Sequence, residues 1–171
     1  MSRRLGIGDI APNFELEDDR GQLVRLSDAL REGTVVLYFY PMNFTPACTK
    51  EACMFRDVHD TLAGRGIRIL GVSPQRPESH AKFRERHRLP FPLLSDGGKS
   101  IARAYGAVSL LGLYTKRVSY WIGQDGRILD TASADWSVTE HEAFARRVLA
   151  AMAKGSSEDR EPGVSDPPSS P

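Results

Sequence analysis

The chain has 171 residues, two of them cysteine, and its 23 Lys plus Arg against 22 Asp plus Glu leave a net charge of +1. That balance supplies neither the basic field that nucleic-acid binding uses nor an acidic repulsive tail, and 40% hydrophobic with 26% charged residues is the profile of a soluble globular protein. Two cysteines are too few to staple a fold of this size, so a packed core must hold it and both thiols stay available for chemistry or burial.

In chain order, Arg3-Arg4 is followed by Leu5-Gly6-Ile7-Gly8-Asp9, without the apolar stretch of roughly 7–15 residues that a signal peptide carries. Phe14-Glu15-Leu16 and Leu23-Val24-Arg25-Leu26 read as an N-terminal β-hairpin. Val35 to Tyr40 is a β-branched and aromatic run ended by Pro41, the pattern of a buried central strand. The longest apolar run, Val35 to Met42, is far shorter than the roughly 20 residues that span a bilayer. No membrane is expected as a partner, and a reducing cytoplasm is the expected compartment.

A helix is expected from about Ala47 to Leu62, a second strand over Ile67–Ser73 stopped at Pro74, and a charged helix over Pro77–Arg88 closed by Pro90. A short helix is expected at Lys99–Tyr105. Val118–Ile122 and Arg127–Thr131 flank Gln124-Asp125-Gly126, a hairpin signal. Ser137-Val138-Thr139-Glu140 is a capping box, and Phe144, Val148, Leu149 and Met152 follow at helical spacing. Strand, helix, strand, helix, hairpin and helix make a βαβ unit extended by an antiparallel pair. Residues 1–154 contain no internal repeat or linker and read as one domain. Gly155–Pro171, with 11 of 17 residues Gly, Ser or Pro, reads as a disordered tail.

The chemistry points to the segment after the buried strand, Tyr38-Phe39-Tyr40-Pro41-Met42-Asn43-Phe44-Thr45-Pro46-Ala47-Cys48-Thr49-Lys50-Glu51-Ala52-Cys53. Reactive groups of α/β sheets gather at the carboxyl ends of strands, where this loop lies. Pro46 suits the opening of a helix and puts Cys48 in its first turn. There, unpaired backbone N–H groups and the helix dipole favour thiolate over thiol. Taken alone, Cys48 is as well read as a small buried hydrophobe. Thr45 adds a hydroxyl within reach of a polar substrate or the sulfur.

Pro41, Thr45 and Cys48 match Pro-x-x-x-Thr-x-x-Cys, and the segment resembles the active-site signature of the peroxiredoxins, in particular the bacterioferritin-comigratory-protein or peroxiredoxin Q subfamily. The likeness extends to Gly6-Asp9-Ala11-Pro12-Phe14, Gly71-Val72-Ser73-Pro74 with Glu78-Ser79-His80, Leu89 to Asp96, and Arg117-Val118-Ser119, covering about residues 6–152. It implies an α/β fold, a thioredoxin-like three-layer sandwich with an N-terminal β-hairpin extension. It also implies a thioredoxin-dependent thiol peroxidase acting on hydrogen peroxide and organic hydroperoxides in antioxidant defence. Cys48 would attack the peroxide and become a sulfenic acid, with Thr45 and Arg117 as donors to the reacting oxygens and Pro41 shielding the thiolate. Glu51 would orient hydrogen bonds around them, or serve only as a carboxylate near a helix N-terminus.

The resemblance further implies that Cys53 resolves the sulfenic acid as a Cys48–Cys53 disulfide, reduced again by thioredoxin or a glutaredoxin-like dithiol. Five residues along one α-helix separate two Cα atoms by roughly 8–9 Å, beyond the limit of about 7 Å for a disulfide. The first turns are therefore expected to unwind on oxidation. Resolution within one helix needs no second subunit, so a monomer is expected.

Three departures from the subfamily pattern stand out: Ala47 where Gly is common, Met42-Asn43 in place of a charged pair, and Trp121-Ile122-Gly123 where an acidic turn residue is usual. His59, His80, His87 and His141 lack metal-ligand spacing with the cysteines, and no Gly-rich phosphate loop precedes a helix. No metal and no cofactor are expected. Arg84, Arg86, His87 and Arg88 read as a solvated basic helix face, and Leu110-Leu111-Gly112-Leu113 as core cover or a pocket wall, with an exposed patch for a partner subunit as the alternative. A disulfide oxidoreductase is disfavoured because no second Cys lies two or three residues from Cys48. A peroxide sensor that passes oxidation to a partner is the non-enzymatic alternative.

Overall fold

The computed structural model describes residues 3–135 and 137–158. Strand β1 (Glu15–Asp18) and β2 (Leu23–Arg25) form the expected hairpin. They lead into a short helix, α1 (Leu26–Glu32), which takes Leu26 from the expected second strand and for which the sequence shows no signal of its own. Then come β3 (Thr34–Phe39), α2 (Pro46–Ala63), β4 (Ile67–Ser73) and α3 (Pro77–His87). A three-residue strand, β5 (Leu93–Ser95), occupies what reads in sequence as a connection. Three residues between prolines and an Asp-Gly turn carry too little periodicity to be recognised. The remainder is α4 (Ser100–Ala104), β6 (Val118–Ile122), β7 (Ile128–Ser133) and α5 (Thr139–Glu158).

All seven strands make one sheet in the order β2-β1-β5-β4-β3-β6-β7. The inner strands β5, β4 and β3 run parallel, and β6 and β7 return antiparallel on one side. Strand β3 sits near the middle and is buried on both faces, which is why it reads as a continuous apolar run. Its alternate residues serve two cores. Val35, Leu37 and Phe39 pack with α1, α4 and Tyr120, while Val36, Tyr38 and Tyr40 pack with Phe55 of α2, Phe83 of α3 and Phe144 and Val148 of α5. Helices on both faces of the sheet give the expected thioredoxin-like three-layer sandwich.

Three details differ from the sequence reading. Helix α5 continues to Glu158 and so takes in the first four residues of the expected tail, 155–158, while 159–171 lie outside the described residues. Leu110, Leu111 and Leu113 are 71–77% exposed, so that loop covers no core. Arg84 is not on a solvated face: its Nη1 donates to both Asp19 carboxylate oxygens, at 3.1 and 2.9 Å, tying α3 to the β1–β2 turn. No helix among the described residues is long and apolar enough to cross a membrane.

Gly71 of β4 pairs with Tyr38 on one side and Leu93 on the other. A β-carbon there would come within 2.8 Å of Leu93 Cδ2 and 2.9 Å of the Tyr38 phenol end. That phenol ring stacks on Phe55 at 4.7 Å, so the glycine makes room for the aromatic layer beneath α2. Gly71→Ala is expected to destabilise the fold by about 1–3 kcal/mol through overpacking, read as a lower urea midpoint at unchanged slope.

Candidate active site

Thr45 is the N-cap of α2 and Pro46 its first residue, so Cys48 falls in the first turn, where backbone N–H groups have no partner within the helix. The loop before it is held from below. Asn43, although it follows an exposed Met42, is buried: Tyr40 donates its hydroxyl to Asn43 Oδ1 at 2.7 Å, and Asn43 Nδ2 donates to Ser79 Oγ at 3.0 Å. His80 Nδ1 lies 3.2 Å from the Tyr40 hydroxyl and 3.1 Å from Asn43 Nδ2. Phe44 adopts φ 65°, a left-handed conformation that a β-carbon disfavours. Its ring packs edge-on against Phe83 at 5.1 Å.

Arg117, one residue before β6, reaches across to α2. Its Nη1 donates to Glu51 Oε2 at 2.6 Å and its Nη2 to Cys48 Sγ at 3.4 Å. Arg117 is 3% exposed, Cys48 1% and Glu51 0%, so cation, thiol and carboxyl form one desolvated cluster. The Arg117 backbone N–H is fixed by Asp135 Oδ1 at 3.2 Å. Beside the cluster opens a cavity of about 470 Å³ lined by Pro41, Thr45, Pro46, Ala47, Tyr114, Thr115, Arg117 and Asp135.

Burial raises the Glu51 carboxyl to about 7, the Arg117 guanidinium offsetting only part of that rise. His141, in the first turn of α5, faces Glu51 and is lowered to about 4 by burial and the nearby Arg117 charge. Burial likewise lowers His80 to about 4. A thiol held by a buried cation at a helix start, beside an accessible cavity, is an arrangement for thiolate chemistry on a small neutral substrate.

Residues 7–131 match the AhpC/TSA family. The chain belongs to that family. Peroxiredoxin Bcp of Bacillus subtilis is 40% identical over 157 residues, covering 86% of this chain and 97% of the relative. Among solved structures, peroxidoxin BcpB of Mycobacterium tuberculosis superposes with a TM-score of 0.79 at 38% identity, covering 88% of this chain and 98% of that one. The bacterioferritin comigratory protein of Xanthomonas campestris, in a study of its alkyl peroxide reduction, gives a TM-score of 0.71 at 28% identity, covering 83% and 91%. This AhpC/TSA protein is a peroxiredoxin of the Bcp and peroxiredoxin Q kind, and hence a thiol peroxidase.

Within the peroxiredoxin, Cys48, Glu51 and Arg117 meet, and Pro41 and Thr45 line the adjoining cavity. Thr45 does not bond the sulfur here; its hydroxyl donates to the Met42 carbonyl at 3.2 Å. Cys53 lies apart from the cluster. It is half-buried in a groove of about 450 Å³ shared with Lys50, Asp57, Glu142 and Arg146. The sequence reading missed Asn43, His80, Ser119 and His141. For His141 a signal existed: it lies three residues before Phe144 and seven before Val148, on the buried face of α5.

These buried groups set opposing pH dependences. His80 and His141 stay neutral in the native state down to about pH 4, whereas the unfolded chain protonates both near pH 6.5. Their contribution is complete above 6.5 and is lost as pH falls toward 4. Glu51 runs the other way: the native state holds a proton up to about pH 7 that the unfolded chain releases near 4.5, so its contribution is lost as pH rises through that window. Each is worth roughly 3 kcal/mol. Two histidines against one carboxyl leave a net loss of roughly 3 kcal/mol between pH 6.5 and 4.5, measurable by urea unfolding. Glu51→Gln removes the opposing contribution and steepens that slope.

Proposed function

We propose that Cys48 is the peroxidatic cysteine of a two-cysteine cycle that reduces hydrogen peroxide and organic hydroperoxides. The observation that carries this reading is the Arg117 fork, with one arm on Cys48 Sγ at 3.4 Å and the other on Glu51 at 2.6 Å. A guanidinium there stabilises the thiolate and meets the negative charge that develops on the peroxide oxygens as the O–O bond breaks. Thr45 gives a second donor once its hydroxyl turns from the Met42 carbonyl to the substrate. Pro41 closes the thiolate off from bulk water, and the cavity takes the rest of the hydroperoxide. The thiolate attacks the terminal oxygen; with one proton, the other oxygen departs as water or alcohol, leaving the Cys48 sulfenic acid.

Cys53 then attacks the sulfenic sulfur, expels its oxygen as water and forms the Cys48–Cys53 disulfide. Both cysteines lie on α2 in the thiol form, and helix geometry keeps their Cα atoms roughly 8–9 Å apart. Bonding therefore requires the first turns of α2 to unwind. A disulfide exposed in this way is accessible to thioredoxin or a glutaredoxin-like dithiol, which restores both thiols. Because the cycle closes within one helix, the working unit is a monomer, acting where a dithiol reductant is available, as in a reducing cytoplasm.

Peroxide-dependent NADPH oxidation through thioredoxin and its reductase tests the reading on the parent chain, Cys48→Ser and Cys53→Ser. Turnover is expected to vanish in Cys48→Ser, and its retention would overturn the assignment. Cys53→Ser is expected to oxidise once and stall; sustained turnover there removes Cys53 from the cycle. Amide exchange over residues 48–55 is expected to lose protection in the disulfide form. Equal protection in both redox states would sink the unwinding step.

A further inference from the structure

Ser119 of β6 and His141 of α5 are fully buried, and neither has a part in the cycle above. Phe144 and Val148 already fill the apolar face that His141 shares, where an aliphatic side chain would spare the cost of burying an imidazole. Instead, His141 Nδ1 lies 2.9 Å from Ser119 Oγ and 3.4 Å from Glu51 Oε1. The other Glu51 oxygen, Oε2, holds Arg117 Nη1, and Arg117 Nη2 holds Cys48 Sγ. A chain of polar contacts thus runs Ser119–His141–Glu51–Arg117–Cys48 through β6, α5 and α2.

The Arg117 fork is planar and rigid, so the direction of one N–H arm sets the other. Among the described residues Arg117 Nε has no hydrogen-bond partner, which leaves Glu51 and the sulfur to orient the fork. Among the described residues Glu51 Oε1 has no hydrogen-bond partner, and His141 Nδ1 faces it at 3.4 Å. The other charged groups about His141 are Arg117 and Asp135, and Tyr38 and Cys48 share the Glu51 environment. We propose that His141 is a positioning residue for Cys48: oriented by Ser119, it shares a proton with Glu51 Oε1 and keeps the carboxyl aligned with Arg117, so that the second guanidinium arm stays on the sulfur. Over the neutral range the imidazole carries no charge, so the contact does not act as an ion pair. The proposal rests on the reading of Cys48 as the working thiol.

Alkylation of Cys48 by iodoacetamide in a Cys53→Ser background, followed against pH, tests it without any peroxide turnover. His141→Leu is expected to slow alkylation near neutral pH by about tenfold, the usual scale for a residue acting through a site ligand. The rate at about pH 10, where the thiol ionises unaided and the rate reports access, is expected to stay within about twofold. His141→Asn, which keeps an amide near the Nδ1 position, is expected to restore most of the neutral rate. In a Glu51→Gln background His141→Leu is expected to add little, because the two act in series. An unchanged profile in His141→Leu overturns the proposal, as does an effect that adds in full to that of Glu51→Gln. If the Leu variant does not fold, Ser119→Ala runs the same cycle in its place, with His141→Asn as the conservative control. Failure of the peroxidase assay alongside an intact cycle counts against the proposed function, and the reverse result counts against His141 alone.

Discussion

Arg117 carries a permanent positive charge into the seam between the sheet and the first turns of α2, where an unpaired guanidinium would cost several kcal/mol to desolvate. Two acceptors from α2, the Glu51 carboxyl and the Cys48 sulfur, take up that charge. The cation therefore couples helix to sheet as it organises the reactive centre. A residue removed from this set strands the others in a dry environment, so stability and chemistry at this place are not separable. The raised Glu51 carboxyl has its origin in the same burial, which the Arg117 cation offsets only in part.

Around this cluster the protein meets two opposed demands. The thiol form needs α2 folded, because only the intact first turn presents Cys48 to Arg117. The proposed disulfide needs the same turn to open. Ala47, a better helix former than the glycine common in the subfamily, tilts the balance toward the folded turn by a fraction of a kcal/mol. Upstream, Tyr40, Asn43, Ser79 and His80 bind the loop to α3. That network lies on the N-terminal side of Cys48, so a turn that unwinds between Cys48 and Cys53 leaves the anchored loop in place. Asn43 stands where the subfamily pattern has a charged residue; it is buried, and its amide is satisfied by Tyr40 and Ser79.

Much of the fold was legible because its signals are local. The continuous apolar run of β3, the proline stops after β3 and β4, the Asp-Gly turn between β6 and β7 and the period of α5 each lie within one segment. Elements of three to seven residues, α1 and β5, were not legible, because their stability comes from neighbours rather than from pattern. At 110–113 the core-cover reading fails for a related reason, since only packing decides whether apolar residues lie under anything; Leu110 and Gly112 do line a pocket, and the leucines are exposed.

By itself the sequence determined where the two thiols stand along the helix. Pro46 and the spacing to Cys48 set a cysteine in the first turn of a helix, and five residues to Cys53 set a distance that a helix cannot bridge. It also carried the family resemblance that singled out Thr45, Glu51 and Arg117. Only the tertiary structure decided what surrounds the sulfur. Arg117 meets Cys48 from 69 residues away and His141 meets Glu51 from the last helix. Both contacts follow from β6 lying beside β3 and α5 packing against α2, an order of strands and layers that no short stretch of sequence encodes.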